Sequence, residues 1–192
     1  MSEITYSNYR IDLKLRMKRS ISILVIIWLI SFTAFGQEKY STVKDIDFLF
    51  NGKLKLFDKK AHFLKTIGKP DKIETFLPEC GFYAVERENG ARFKFYKKGN
   101  LQYLLYNNDA DFDEILFSEN SDDFVLYKKT KISRQTTLLE LKKLFPNSFK
   151  DFLSEKNAKI FRLKFDIQGN DDQLHMTIKN KKVVGLRFWT PC

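Results

Sequence analysis

Cysteine is nearly absent. Two residues, Cys80 and Cys192, are too few for a disulfide-dense mini-protein or a Cys-only zinc site. Histidine is as scarce: His62 and His175 fit no Ser/His or Cys/His pattern and no zinc-ligand spacing, so both read as surface or packing residues. Four Pro and eight Gly exclude a collagen-like or linker-dominated chain. A Gly-rich phosphate loop and Gly-x-Ser-x-Gly or Asp-Ser-Gly elbows are missing as well. Without a nucleophile, base or metal set, nothing points to an enzyme, and no cofactor is expected. What is present suits a packed core: 192 residues, 43% hydrophobic and 30% charged, with 19 Phe.

The longest apolar run, Ile21 to Phe35, follows Met17-Lys18-Arg19-Ser20 and ends at Ala34-Phe35-Gly36. A basic start, about fifteen apolar residues and small residues at −3 and −1 make residues 17–36 a signal peptide. Residues 1–16 are then either a long n-region or an extension upstream of a true start at Met17. The alternative is an uncleaved anchor at residues 21–35, although a span needs roughly 20 apolar residues. Either way the remainder is expected outside the cytosol, in the periplasm or the medium. Cleavage removes five basic and two acidic residues, lowering the net charge from +10 to +7. In an exported chain that charge points to acidic protein surfaces or anionic envelope polymers and lipids before nucleic acid. Two lone Cys in an oxidising compartment predict a Cys80–Cys192 bridge pinning the C-terminus to the middle of the fold.

The rest of the chain states one pattern twice. Asp58 can cap a helix over residues 59–67, with Ala61, Leu64 and Ile67 at helical spacing, Gly68 as C-cap and Pro70 as stop. Thr137 and Glu140 form a capping box for a second helix carrying Leu138, Leu141 and Leu144 and ending at Pro146. Strand-like segments follow each helix. Phe82–Arg87, Ala91–Tyr96 and Leu101–Tyr106 come first, with turns at Asn89-Gly90 and Lys98-Gly99; then Glu114–Phe117 and Phe124–Lys128. Lys159–Ile167, Gln173–Lys179 and Lys182–Thr190 come after the second helix. Phe161, Leu163, Phe165 and Ile167 alternate with Arg162, Lys164 and Asp166, so one face is dry and the other wet. The fold class is therefore α+β: an antiparallel β-meander sheet with short helices packed on one face. It divides into tandem helix-plus-meander units over residues 37–130 and 131–192.

The helix ends Ile67-Gly68-Lys69-Pro70-Asp71 and Leu141-Lys142-Lys143-Leu144-Phe145-Pro146, each followed by a meander, resemble the SmpA/OmlA (BamE-like) and β-lactamase-inhibitor-protein-like exported domains. Leu56-Phe57-Asp58 stands where those families carry Gly-Met-Thr, and no lipid-bearing Cys is present. The resemblance implies protein binding without catalysis and carries over no functional residue.

The acidic stretch Asp109-Ala110-Asp111-Phe112-Asp113 resembles the opening of a calcium loop. Glu114 stands where that loop needs Gly and Asn120 where it needs Glu, so it reads as a solvated acidic turn. The wet sheet face is the best candidate site: Arg92, Lys94 and Tyr96 opposite Phe93 and Phe95, together with Arg162, Lys164, His175, Lys179, Arg187 and Trp189. Arg and aromatic side chains on a rigid surface make interface anchors. The expected function is an exported non-catalytic protein-binding module: an inhibitor, an immunity-type protein or an envelope-assembly accessory. The alternatives are a membrane-anchored structural envelope protein, touching the membrane only through residues 21–35, and a periplasmic enzyme with an unrecognised site.

Overall fold

The computed structural model describes residues 39–79, 81–152 and 159–191. The strands are β1 (Ser41–Val43), β2 (Phe48–Phe50), β3 (Leu54–Lys55), β4 (Phe57–Lys59), β5 (Lys72–Phe76), β6 (Phe93–Lys98), β7 (Leu101–Tyr106), β8 (Asp109–Leu116), β9 (Val125–Tyr127), β10 (Thr130–Ile132), β11 (Ile160–Ile167), β12 (Gln173–Lys179) and β13 (Lys182–Trp189). The helices are α1 (Lys60–Ile67), α2 (Gly81–Glu88), α3 (Leu138–Leu144) and α4 (Ser148–Phe152). The protein is thus mixed α+β, mostly sheet, with four short helices among the described residues.

α1 buries Phe63 and stops at Gly68, whose φ of 71° is the reason for glycine there and whose N–H donates to the Leu64 carbonyl. Asp58 does not cap it; its carboxylate accepts from the N–H groups of Lys55 and Lys59 instead. α3 opens with the capping box: Thr137 accepts from the Glu140 N–H, and the Glu140 carboxylate accepts from the Thr137 N–H at 2.7 Å. The expected strand at Phe82–Arg87 is the helix α2. Its first residue, Gly81, has φ of 68°, and a Cβ there would lie 2.9 Å from the Pro191 carbonyl oxygen. Asn89-Gly90 closes this helix, with the Ala91 N–H donating to the Glu86 carbonyl, and turns no hairpin.

The large sheet runs β1-β11-β12-β13-β8-β7-β6-β5, and β4 also pairs with β8. Two antiparallel meanders, β6-β7-β8 and β11-β12-β13, meet back to back at a β8–β13 seam. Gly185 sits on that seam, where a Cβ would lie 3.0 Å from the Ile115 carbonyl oxygen. The small sheet runs β10-β9-β2-β3. β1 pairs in parallel with β11, held by Ser148, whose hydroxyl accepts from the Ser41 N–H and donates to the Lys164 carbonyl.

The core lies between the two sheets. Phe50 stacks on Phe112 at 3.8 Å, Phe63 packs on Tyr103 at 4.8 Å, and Phe145 bridges Tyr127 and Phe165 at 4.8 and 4.4 Å. Phe161, Leu163, Phe165, Leu174, Met176 and Ile178 all face inward and are buried. Burial of these rings removes apolar area from water at roughly 25 cal/mol per Å². Helices do not keep to one face. α1 and α3 cover this dry side, whereas α2 covers part of the opposite face, its Tyr83 packing on Phe93 and Tyr106. Residues 39–192 form one compact unit, with β10 straddling the 130/131 division. Among the described residues no helix is long and apolar enough to cross a membrane; residues 17–36, including the 21–35 segment, lie outside them.

Candidate functional site

Residues paired across neighbouring strands share a face, so the ladder sorts the wet face directly. One row runs Lys164, His175, Arg187, Glu114, Gln102, Lys97. A β-bulge after Gln102 leaves Asp113 as an extra residue on β8 and puts Leu104 opposite Asp111. Phe95 pairs with Leu104 and so faces the same way. The twist of the sheet turns this row into a groove of about 500 Å³. Phe76 and Phe95 wall one side, ring to ring at 4.7 Å. Arg162, His175, Arg187 and Trp189 wall the other, and Gln102, Asp113 and Glu114 lie between.

His175 and Trp189 stack with ring centres 5.5 Å apart and planes 16° from parallel. His175 Nε2 lies 2.9 Å from the Gln173 carboxamide oxygen. Burial first, then the neighbouring charges of Lys164, Arg162 and Arg187, push its pKa down to about 4, so the ring is neutral at pH 7. Those three cations have no carboxylate within 4.0 Å among the described residues. Asp113 is buried enough to be pushed up, against the opposing pull of a 2.8 Å hydrogen bond from Gln102 and the charge of Arg187. The groove therefore offers exposed positive charge beside a half-exposed indole.

Five of the nine wet-face candidates come together: Arg162, His175, Arg187 and Trp189 line the groove, and Lys164 flanks His175 in register. Lys179 continues the β12 row at its far end, away from the groove. Lys94 and Tyr96 point the other way; Tyr96 packs against Phe63 under α1. Arg92 is exposed and precedes β6. The alternation in this strand is real but inverted, with Phe93 and Phe95 on the groove side.

The Asp109–Asp113 stretch is β8, not a turn. Asp111 is 6% exposed and accepts hydrogen bonds from Tyr83 (2.9 Å) and Tyr106 (3.0 Å) on the same oxygen. Burial pushes its pKa up to about 6, the two phenols opposing that rise. Both tyrosines are themselves pushed well above the usual phenol range by burial and by Asp111. No hydrophobic pattern announces this cluster, because its three members lie on three separate elements. His62 Nδ1 lies 2.8 Å from Asp58, an i,i+4 pair at the start of α1, and half of the ring is exposed.

The groove holds His175 together with Asp113 and Glu114, yet no hydrogen bond joins His175 to a carboxylate or hydroxyl among the described residues. Nor do three or more His, Cys, Asp or Glu converge to hold a metal ion among them. Cys80 and Cys192 both lie outside the described residues. No family model matches the chain, and no curated protein or solved structure matches it.

Proposed function

We propose that the chain is an exported, non-catalytic protein-binding module that docks an acidic partner segment into the wet-face groove. The observation that carries this reading is the row of cations, Arg162, Lys164 and Arg187, with no carboxylate within 4.0 Å among the described residues, around the stacked His175–Trp189 pair. Arg and Trp set in a groove are the residue types that dominate binding energy. Unpaired positive charge steers an acidic partner and rejects a basic one. Export rests on the leader-like residues 17–36, and residues 39–192 make a compact unit without them. The partner is then a protein of the envelope or the medium.

The tandem reading is kept for the meanders. Each follows a helix, and their joining at β8 and β13 is what two abutting copies would give. That arrangement is in keeping with the resemblance to SmpA/OmlA and β-lactamase-inhibitor-protein-like domains. A Cys80–Cys192 bridge fits the same picture, since Gly81 lies against Pro191.

A photo-crosslinking amino acid at position 189, and in parallel at position 94 on the other face, tests the site. Expressed in the native host, the position-189 protein should give one discrete adduct that Arg187→Ala or Arg162→Ala abolishes. Equal adducts from position 94, or adducts indifferent to the arginines, would remove the groove from consideration.

A further inference from the structure

A second cleft, of about 440 Å³, opens where β4 and β13 diverge along β8. It adjoins the groove, sharing Tyr83, Phe188 and Thr190 with it, but its chemistry is opposite. Phe57, Phe82, Tyr83, Tyr106 and Phe188 supply aromatic walls. Asp58, Asp109, Asp111 and Asp172 supply carboxylates. Of the two lysines lining it, Lys59 is already paired with Asp109, and Lys55 is exposed. Asp111 is more than nine-tenths buried and faces no cation within 4.0 Å among the described residues. One of its oxygens takes both phenol hydrogen bonds; the other, Oδ1, has no hydrogen-bond partner there. Oδ1 is not sealed from the cleft, and a carboxylate so largely buried with no cation beside it is a costly arrangement for a fold to keep. The same arrangement is complementary to a cation, whose charge meets the carboxylate while its methylenes meet the rings.

We propose that this cleft binds an alkylammonium group, carried by a lysine side chain or a free primary amine, with Asp111 as its counter-ion. Tyr83 and Tyr106 hold Asp111 by one oxygen and leave the other for the ligand. Phe82, 57% exposed at the rim, covers the alkyl chain. The groups facing Asp111 are Tyr83 from α2, Tyr106 from β7, Asp109 from β8, Asp58 and Lys59 from β4, Lys55 from β3, and Asp172 with Thr190 at the mouth. Asp109 is already matched by Lys59, and Asp58 and Asp172 add attraction for the cation.

The test titrates the full chain with n-butylamine, with Nα-acetyl-lysine methylamide and with n-butanol, followed by amide chemical shifts. At pH 7.5 both amines should give saturable shifts at Tyr83, Tyr106 and Asp111, and butanol none. Tighter binding of the lysine derivative marks a peptide ligand; tighter binding of butylamine marks a free amine. Asp111→Asn should weaken amine binding about tenfold or more, and so should lowering the pH to 5, where Asp111 takes up a proton. Phe82→Ala, at an exposed position, should weaken it several-fold and guards against a folding artefact. Shifts shared by butanol, absence of saturation, or full affinity in both variants would overturn the proposal.

Discussion

Strands β6–β8 and β11–β13 run the same antiparallel course and meet at one seam, yet they dress the same face differently. On the side away from α1 and α3 the first meander carries Phe93, Phe95, Leu104 and Tyr106. The second carries Arg162, Lys164, His175, Arg187 and Trp189 there. α2 lies over part of the first, whereas Arg162, Arg187 and Trp189 of the second are exposed. Half of a sheet face that would otherwise be a greasy surface is thereby closed, and the cationic half is left as the open surface. The boundary between them is where both clefts lie, where a covered half meets a bare one.

The largest expected effect comes from untying α2 from β13. Gly81 at the head of the helix touches Pro191 beyond β13, and the flanking cysteines, one residue away on each side, are proposed to be bridged. Closing a loop of that size is worth about 4–5 kcal/mol in the chain-entropy model. Cys192→Ser, or reduction of the parent chain, should lower stability by up to that amount in urea denaturation. It should also raise hydrogen exchange in α2 before it does so in β11–β13. Non-reducing mass spectrometry that finds two free thiols in the exported chain would break the link.

An intermediate effect, of the opposite sign, is expected at Asp111. Its folded pKa of about 6 lies above the ordinary 3.8, so between those values the folded chain binds more protons than the unfolded one. The contribution of the group to stability therefore falls as pH rises through that window and is fully unfavourable above it. At 1.36 kcal/mol per unit the deficit is about 3 kcal/mol at pH 7. Asp111→Asn keeps an acceptor for Tyr83 and Tyr106 and should stabilise the protein by about 2–3 kcal/mol at pH 7, but not at pH 3.5. His175, in the second meander, behaves in reverse. Its pKa is lowered from 6.5 to about 4, so its contribution rises as pH rises through that range. The two slopes oppose each other in the parent chain. Asp111→Asn should uncover the His175 slope, and His175→Gln the Asp111 slope; parallel pH profiles for all three proteins would sink this account.

The same contrast decides what the sequence made legible. In the second meander one face is dry and the other bare, so alternation alone places β11, β12 and β13 to within a residue and assigns their faces. In the first, α1 lies on one side and α2 on the other. Phe93 is buried under α2 while Tyr96 is partly buried under α1, so polarity no longer tells the faces apart and β6 reads inverted. Phe82–Arg87 reads as strand because Phe, Tyr and Val favour sheets; the positive φ of Gly81 and the anchoring of Tyr83 to Asp111 override that preference. Asp109, Asp111 and Asp113 read as loop because aspartate is rare in strands, yet Ala110 and Phe112 between them are fully buried. The Asp111–Tyr83–Tyr106 cluster is invisible in sequence because only the packing of α2 across β7 and β8 assembles it.

The smallest expected effect separates the two helices on the dry side. α3 begins with a reciprocal pair of hydrogen bonds between Thr137 and Glu140, whereas the residue before α1, Lys59, makes no side-chain cap. Only α3 therefore loses a satisfied backbone N–H when its N-cap side chain is truncated. Thr137→Ala should cost about 1 kcal/mol in urea denaturation, and Lys59→Ala close to nothing by the same measure. The Glu140 carboxyl is held below its ordinary value, first by the Thr137 N–H and then by the Thr137 hydroxyl, so its share is present above pH 4.5 and is lost as the pH falls through the folded pKa. The Thr137→Ala deficit should accordingly shrink toward pH 3. A deficit that does not change with pH would mean that Thr137 acts through packing and that the reciprocal bond contributes nothing. A Lys59→Ala cost equal to that of Thr137→Ala would mean that the two helix starts differ in sequence but not in energy.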